Sequence, residues 1–182
     1  MVQSFDFTLF RWFNSWAGIS PFFDWAIRFR AEYLIYVVAG AVLLFYIATF
    51  FPKFREYRAQ NGRLVLFAFA SALIARFGVV ELIRLFYNRP RPFEALEGVT
   101  KLIPHSVGFA FPSGHATFAF ALAAAVAYYY PKTSILFFLA ALAISVSRVA
   151  AGLHWPSDIM GGVIVGIGTA IILKYIIFLK NK

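Results

Sequence analysis

Residues 112–178 read PSGHATFAFALAAAVAYYYPKTSILFFLAALAISVSRVAAGLHWPSDIMGGVIVGIGTAIILKYIIF, and they decide the fold. Three apolar runs fill the stretch, at 114–130, 134–152 and 157–178. Each nears the roughly 20 apolar residues that carry a helix across a bilayer. All are rich in Ala, Leu, Ile, Val and Phe, and none alternates apolar with polar residues as a half-buried strand would. The short break after the first run holds Pro131, and Pro156 suits the first turn of the third. Toward the N-terminus two more such runs occupy 33–51 and 64–86. Residues 4–16 and 20–30 differ. They mix aromatic side chains with Asp6, Arg11, Asp24, Arg28 and Arg30, as helices lying in a membrane interface do. A sixth span across 5–27 is the competing reading.

The composition agrees. Of 182 residues 62% are hydrophobic and only 14% charged, where a soluble domain carries about 25% charged. The apolar excess has to face lipid. The expected fold is therefore all-α: one membrane-embedded domain over residues 1–182, an integral membrane helix bundle. Five transmembrane helices fill 33–178, and N-terminal interfacial helices fill 1–31.

The formal net charge is +9, yet the basic residues sit between apolar runs, not on one face. That distribution speaks for membrane orientation and against a nucleic-acid partner. Lys53, Arg55, Arg58 and Arg63 follow one run, Lys132 another, and Lys174, Lys180 and Lys182 close the chain. With five alternating spans these regions share one side, the cytoplasmic side of a cell membrane. The loop 87–113 and the turn 152–156 then face outward. Trp12, Trp16 and Tyr128 to Tyr130 read as interface anchors. The chain has no cysteine, which excludes disulfides, thiolate catalysis and cysteine metal sites. Its first residues carry Asp6 and Arg11, unlike a cleaved signal peptide.

Three polar blocks converge on the outer face: Arg84 through Arg91-Pro92, then Pro112-Ser113-Gly114-His115, then Ser147-Arg148 with His154 and Asp158 behind it. Three arginines, two histidines, a serine and a carboxylate are what phosphoryl transfer asks for. Its transition state spreads charge over three oxygens, so catalysis is mostly positioning and charge stabilisation. The arginine fork matches phosphate oxygens two at a time. Ser113 is a natural N-cap, Gly114 lets backbone approach a ligand, and free amides at a helix start attract an anion. Helical spacing puts His154 and Asp158 on one face, so Asp158 can accept a ring proton and leave the other nitrogen of His154 free to attack phosphorus. His115 remains to protonate the departing oxygen.

These blocks resemble the signature of the type 2 phosphatidic acid phosphatase superfamily: Lys, six residues, Arg-Pro; Pro-Ser-Gly-His; and Ser-Arg, five residues, His, three residues, Asp. The second and third match fully; in the first, Arg84 replaces the lysine. The resemblance implies a metal-independent phosphatase without cofactor. In it His154 is the nucleophile of a phosphohistidine intermediate, Asp158 orients it, and His115 is the general acid and then the base. Arg84, Arg91, Ser113, Gly114 and Arg148 hold the phosphate. Within the family the chain looks like the bacitracin-resistance-type undecaprenyl-diphosphate phosphatases, by its short length and by Arg91-Pro92-Phe93, Leu102-Ile103-Pro104-His105 and Phe111-Pro112. The partners implied are the bilayer and a lipid phosphate or diphosphate. A phosphatidylglycerophosphate or broad lipid-monophosphate phosphatase is the alternative. A vanadium haloperoxidase and a non-catalytic membrane scaffold or transporter are the remaining readings.

Several residues carry plainer expectations. Ser147 bonds a carbonyl of its own helix, and His105 is a structural or solvated loop residue. Arg89 and Lys101 either meet a second phosphate or are solvated. Glu81 pairs with Arg84, and Arg76 packs inside the bundle.

Overall fold

The computed structural model describes residues 2–180. Lys182, one of the C-terminal basic residues, lies outside them. The described residues form seven helices and no strand: α1 (Val2–Asn14), α2 (Pro21–Phe50), α3 (Pro52–Phe86), α4 (Pro92–Ala95), α5 (Gly114–Tyr129), α6 (Pro131–Ala150) and α7 (Pro156–Lys180). Four of them, α2, α3, α6 and α7, are long and apolar enough to cross a membrane. The apolar α5 is shorter, at 16 residues.

The short helix α5 is the centre of the molecule. Every residue from Ala119 to Val126 is buried, so it has no polar face to turn outward. It packs on α7, α6 and α3. Small residues let α7 come close: a Cβ added at Gly162 would lie 2.8 Å from the carbonyl oxygen of Ser113, and one at Gly166 would strike that of Thr117. This is the small-residue packing that holds helices together in lipid. It also fixes the start of α5 against the start of α7, where the two histidines stand.

The N-terminus differs from expectation in one way, and the competing reading of a sixth span does not hold. Residues 20–30 are not a separate interfacial element. Ser20 caps the helix, accepting from the amide of Phe23, Pro21 fills its first turn, and nothing interrupts the helix before Phe50. A π-helical turn at Phe29–Tyr33 absorbs the change of register. Nor is there a continuous span across 5–27. Turns after Asn14 end α1, whose 13 residues reach only about 20 Å. Asp6, Phe10 and Asn14 point inward from one face of α1, while Phe5, Phe7 and Trp12 are exposed. The inner face docks α1 onto the loop 87–113 and the end of α6. Asn14 donates to the carbonyls of Thr100 and Ala150, both at 2.8 Å, and Arg11 donates to that of Glu97 at 2.9 Å.

Candidate active site

The end of α3, the loop, the start of α5, the end of α6 and the start of α7 meet at one end of the bundle. Arg84, near the end of α3, donates to the carbonyl of Pro112 at 3.1 Å and to Glu81 at 3.1 Å. The expected Glu81–Arg84 pair is therefore present. Arg91 is buried before α4 and donates to the carbonyls of Leu153 at 2.9 Å and Phe109 at 3.1 Å. Arg148, buried in the last turn of α6, donates to the carbonyl of Ala31 at 3.4 Å, and its own carbonyl accepts from the amide of Leu153 at 3.1 Å. Gly152, at φ +82°, makes that turn with a conformation open to glycine. Ser113 stands at the N-cap of α5, but its hydroxyl caps nothing; its amide donates to the carbonyl of Asp158 at 3.0 Å.

The partners of His154 fix its tautomer. Nδ1 lies 3.0 Å from the carbonyl oxygen of Ala110, which can only accept, so Nδ1 carries the proton. Nε2 lies 3.2 Å from Nη1 of Arg91, which can only donate, so Nε2 carries the lone pair. This differs in one respect from the sequence reading. Asp158 is the more distant neighbour of Nδ1, at 3.5 Å, because its oxygens are already used: Oδ2 accepts the amide of Trp155 and Oδ1 the guanidinium of Arg89, each at 2.8 Å. His154 itself precedes the helix; Asp158 reaches back to the N-cap Trp155, as a residue in the first turn can. Burial, then the positive fields of Arg148 and Arg91, hold the His154 imidazole well below its ordinary pKa.

On the elements that meet here, several buried donors lack a protein partner among the described residues: Nε of Arg84, Arg91 and Arg148, and the hydroxyl of Ser113. An unpaired buried donor costs about 1–3 kcal/mol. Arg30, Arg58 and Ser145 also carry such atoms, so the convergence matters more than the number. Together with the first-turn amides of α5, these donors have the chemistry to receive an anion.

His115, one residue into α5, borders a groove of about 350 Å³ with Gly114, Arg76 and the apolar Tyr36, Phe69, Phe77 and Phe118. A larger hollow of about 860 Å³ borders Arg89 and Trp155 but neither histidine. Arg76 was expected only to pack inside the bundle. Instead it lines the groove and forms an ion pair with Glu81. His105 hydrogen-bonds the carbonyl of Ser106 at 2.9 Å and its carbonyl accepts from Lys101 at 2.8 Å, so both serve the loop. Ser147 borders a small cavity with Trp16, Ile27 and Arg30.

Arg89 is not the solvated side chain of one expected reading. It donates to Asp158 at 2.8 Å, to Asp6 at 2.7 Å and to Ser157 at 2.6 Å. Asp6 and Asp158 are both sealed from solvent, at 1% and 0% exposure. One guanidinium thus ties α1 to the carboxylate behind His154. The sequence reading missed Asp6; its one signal was the helical spacing with Phe10 and Asn14.

Known proteins resemble this chain in sequence and fold. A family model described as the PAP2 superfamily matches residues 64–182. The undecaprenyl-diphosphatase BcrC of Bacillus subtilis (strain 168) is 31% identical over 173 residues, 95% of this chain and 82% of that protein. The crystal structure of Aquifex aeolicus LpxE superposes with a TM-score of 0.71 at 29% identity, covering 93% of this chain and 94% of that one. A transmembrane PAP2-type phosphatidylglycerolphosphate phosphatase from Bacillus subtilis superposes with a TM-score of 0.64 at 19% identity, covering 96% and 85%.

Proposed function

The chain belongs to the PAP2 superfamily, and from that premise we propose that it releases the terminal phosphate of undecaprenyl diphosphate through a phosphohistidine at His154. It is an integral membrane PAP2-type lipid phosphatase, of a family of metal-independent hydrolases. The observation that carries the mechanism is the setting of His154, with Nδ1 on the carbonyl of Ala110 and Nε2 turned to Arg91, beside guanidinium nitrogens that lack partners.

In this reading an incoming phosphate takes over the Arg91 contact. Nε2 of His154 bonds to phosphorus, the bridging P–O bond breaks, and its electron pair leaves on the lipid oxygen, which His115 protonates. The ring keeps its Nδ1 proton and becomes positive. The carbonyl of Ala110 and the carboxylate of Asp158 stabilise that charge as it grows. His115, now neutral, takes a proton from water, whose oxygen attacks phosphorus and breaks the N–P bond. Arg84, Arg91, Arg148, Ser113 and the Gly114 amide hold the phosphate oxygens throughout. A general acid alone supplies about 10²–10⁴ in rate; the fixed cations supply much of the rest.

The name of the Bacillus subtilis relative supports the diphosphate, and the apolar groove beside His115 suits a prenyl tail. The five-helix reading counts α5 as a span beside the four long helices. Lys53, Arg55, Arg58, Arg63, Lys132 and Lys174 then lie at the ends away from the histidines, which makes the site extracytoplasmic. Assay of the purified protein on undecaprenyl diphosphate and on phosphatidylglycerophosphate tests the substrate. The expected result is a higher kcat/KM on the diphosphate; a clear preference for phosphatidylglycerophosphate would replace this reading with the monophosphate one.

A further inference from the structure

We propose that Arg76 binds the second, lipid-bearing phosphate of the diphosphate, across the scissile bond from His154. This rests on the function above and goes one step further, since it assigns a residue that selects diphosphate over monophosphate.

Arg76 is conspicuous by its place. It lies in a π-helical turn, Ile74–Val79, inside a helix long and apolar enough to cross the membrane. Such turns gather at functional sites, and an ionisable residue at membrane depth is costly without a use. Its ion pair with Glu81 does not cancel its charge. Glu81 is shared with Arg84, so two guanidinium groups meet one carboxylate. The Arg76 side chain also stays 26% exposed, open to the groove and not sealed in the core.

Its reach is fixed by a neighbour. The side chain lies across Gly114 at the start of α5: an added Cβ there would strike Nε of Arg76 and come within 2.7 Å of its Cδ. Gly114 is thus glycine for a second reason, because any side chain would evict this arginine. From that position Arg76 shares the groove wall with His115.

The chemistry of displacement gives this cation its task. Nucleophile and leaving oxygen lie in line on opposite sides of phosphorus. With His154 on one side and His115 at the leaving oxygen, whatever that oxygen carries continues into the groove. In a prenyl diphosphate it carries a phosphate, which gains charge as the bridging bond breaks and its electron pair leaves. Arg76 meets that charge. In a prenyl monophosphate the departing group is an alcohol, which needs the proton of His115 and gives Arg76 nothing to bind. Arg89 and Lys101 are otherwise engaged.

The test uses the full-length protein in detergent with farnesyl diphosphate and farnesyl monophosphate, which share one tail. Arg76→Gln should lower kcat/KM on the diphosphate by about ten- to a hundredfold more than on the monophosphate, the worth of a charge-assisted contact. Arg76→Lys, which keeps the charge and loses the fork, should show a smaller fall in the same ratio and serves if the glutamine variant does not fold. A merely structural role would lower both substrates alike, and an unchanged ratio in both variants overturns the assignment. Wild-type protein inert on the diphosphate would instead overturn the proposed function, and this inference with it.

Discussion

His154 can attack phosphorus only while its proton stays on Nδ1, and two neighbours of opposite chemistry enforce that. A carbonyl faces one nitrogen and a guanidinium the other. The spacing of His154 and Asp158 was legible in the sequence, because both sit in one turn of chain. The carbonyl of Ala110 was not, since backbone groups leave no trace in residue type. The Asp6–Arg89 pair was not legible either; its partners are 83 residues apart, and only docking of α1 joins them. That pair has a measurable consequence. Arg89 is the one cation hydrogen-bonded to both of two sealed carboxylates among the described residues. Removing one partner of a buried pair costs about 3–5 kcal/mol. Arg89→Gln should therefore destabilise the protein by about 3 kcal/mol in thermal unfolding in detergent, and Asp6→Asn in the Arg89→Gln background should recover part of it. Equal stability of Arg89→Gln and wild type would show that the bridge is unimportant.

At the scale of elements, apolar runs were read at five places, and helices now stand at all five. Apolar length is a strong signal, because lipid forces the backbone to satisfy itself. The start of the first long helix was misplaced, at 33 instead of Pro21. Aromatics beside charged residues read as interfacial, whereas Ser20 caps a helix that runs on through them. The packing between helices was also hidden: nothing in the run of α7 says which glycines touch α5. Gly166 packs on the backbone of Thr117 and Ala121, whereas a Cβ at Gly168 would meet nothing within 4 Å. Gly166→Ala should thus cost about 1–3 kcal/mol, the range for overpacking, while Gly168→Ala should be neutral or mildly stabilising. Thermal unfolding of both variants in detergent checks the contrast, and equal stability of the two would contradict the packing described.

Over the whole molecule, one end of the bundle gathers the histidines and the other the basic loops. The charge asymmetry was readable because short loops carry it without any tertiary contact. That Arg91 and His154, 63 residues apart, share one face was readable from the ends of the apolar runs; their direct contact was not. The orientation proposed has a direct check in this cysteine-free chain. Val107→Cys, in the exposed part of the long loop, should react with an impermeant maleimide added to intact cells, and Lys132→Cys only after permeabilisation; the reverse pattern inverts the topology. The central claim is a covalent bond between phosphorus and His154. Rapid quench of the purified protein mixed with terminally ³²P-labelled undecaprenyl diphosphate should trap acid-labile, base-stable label on His154, and none on His154→Ala. Wild-type turnover in His154→Ala, or label carried by another residue, would contradict it.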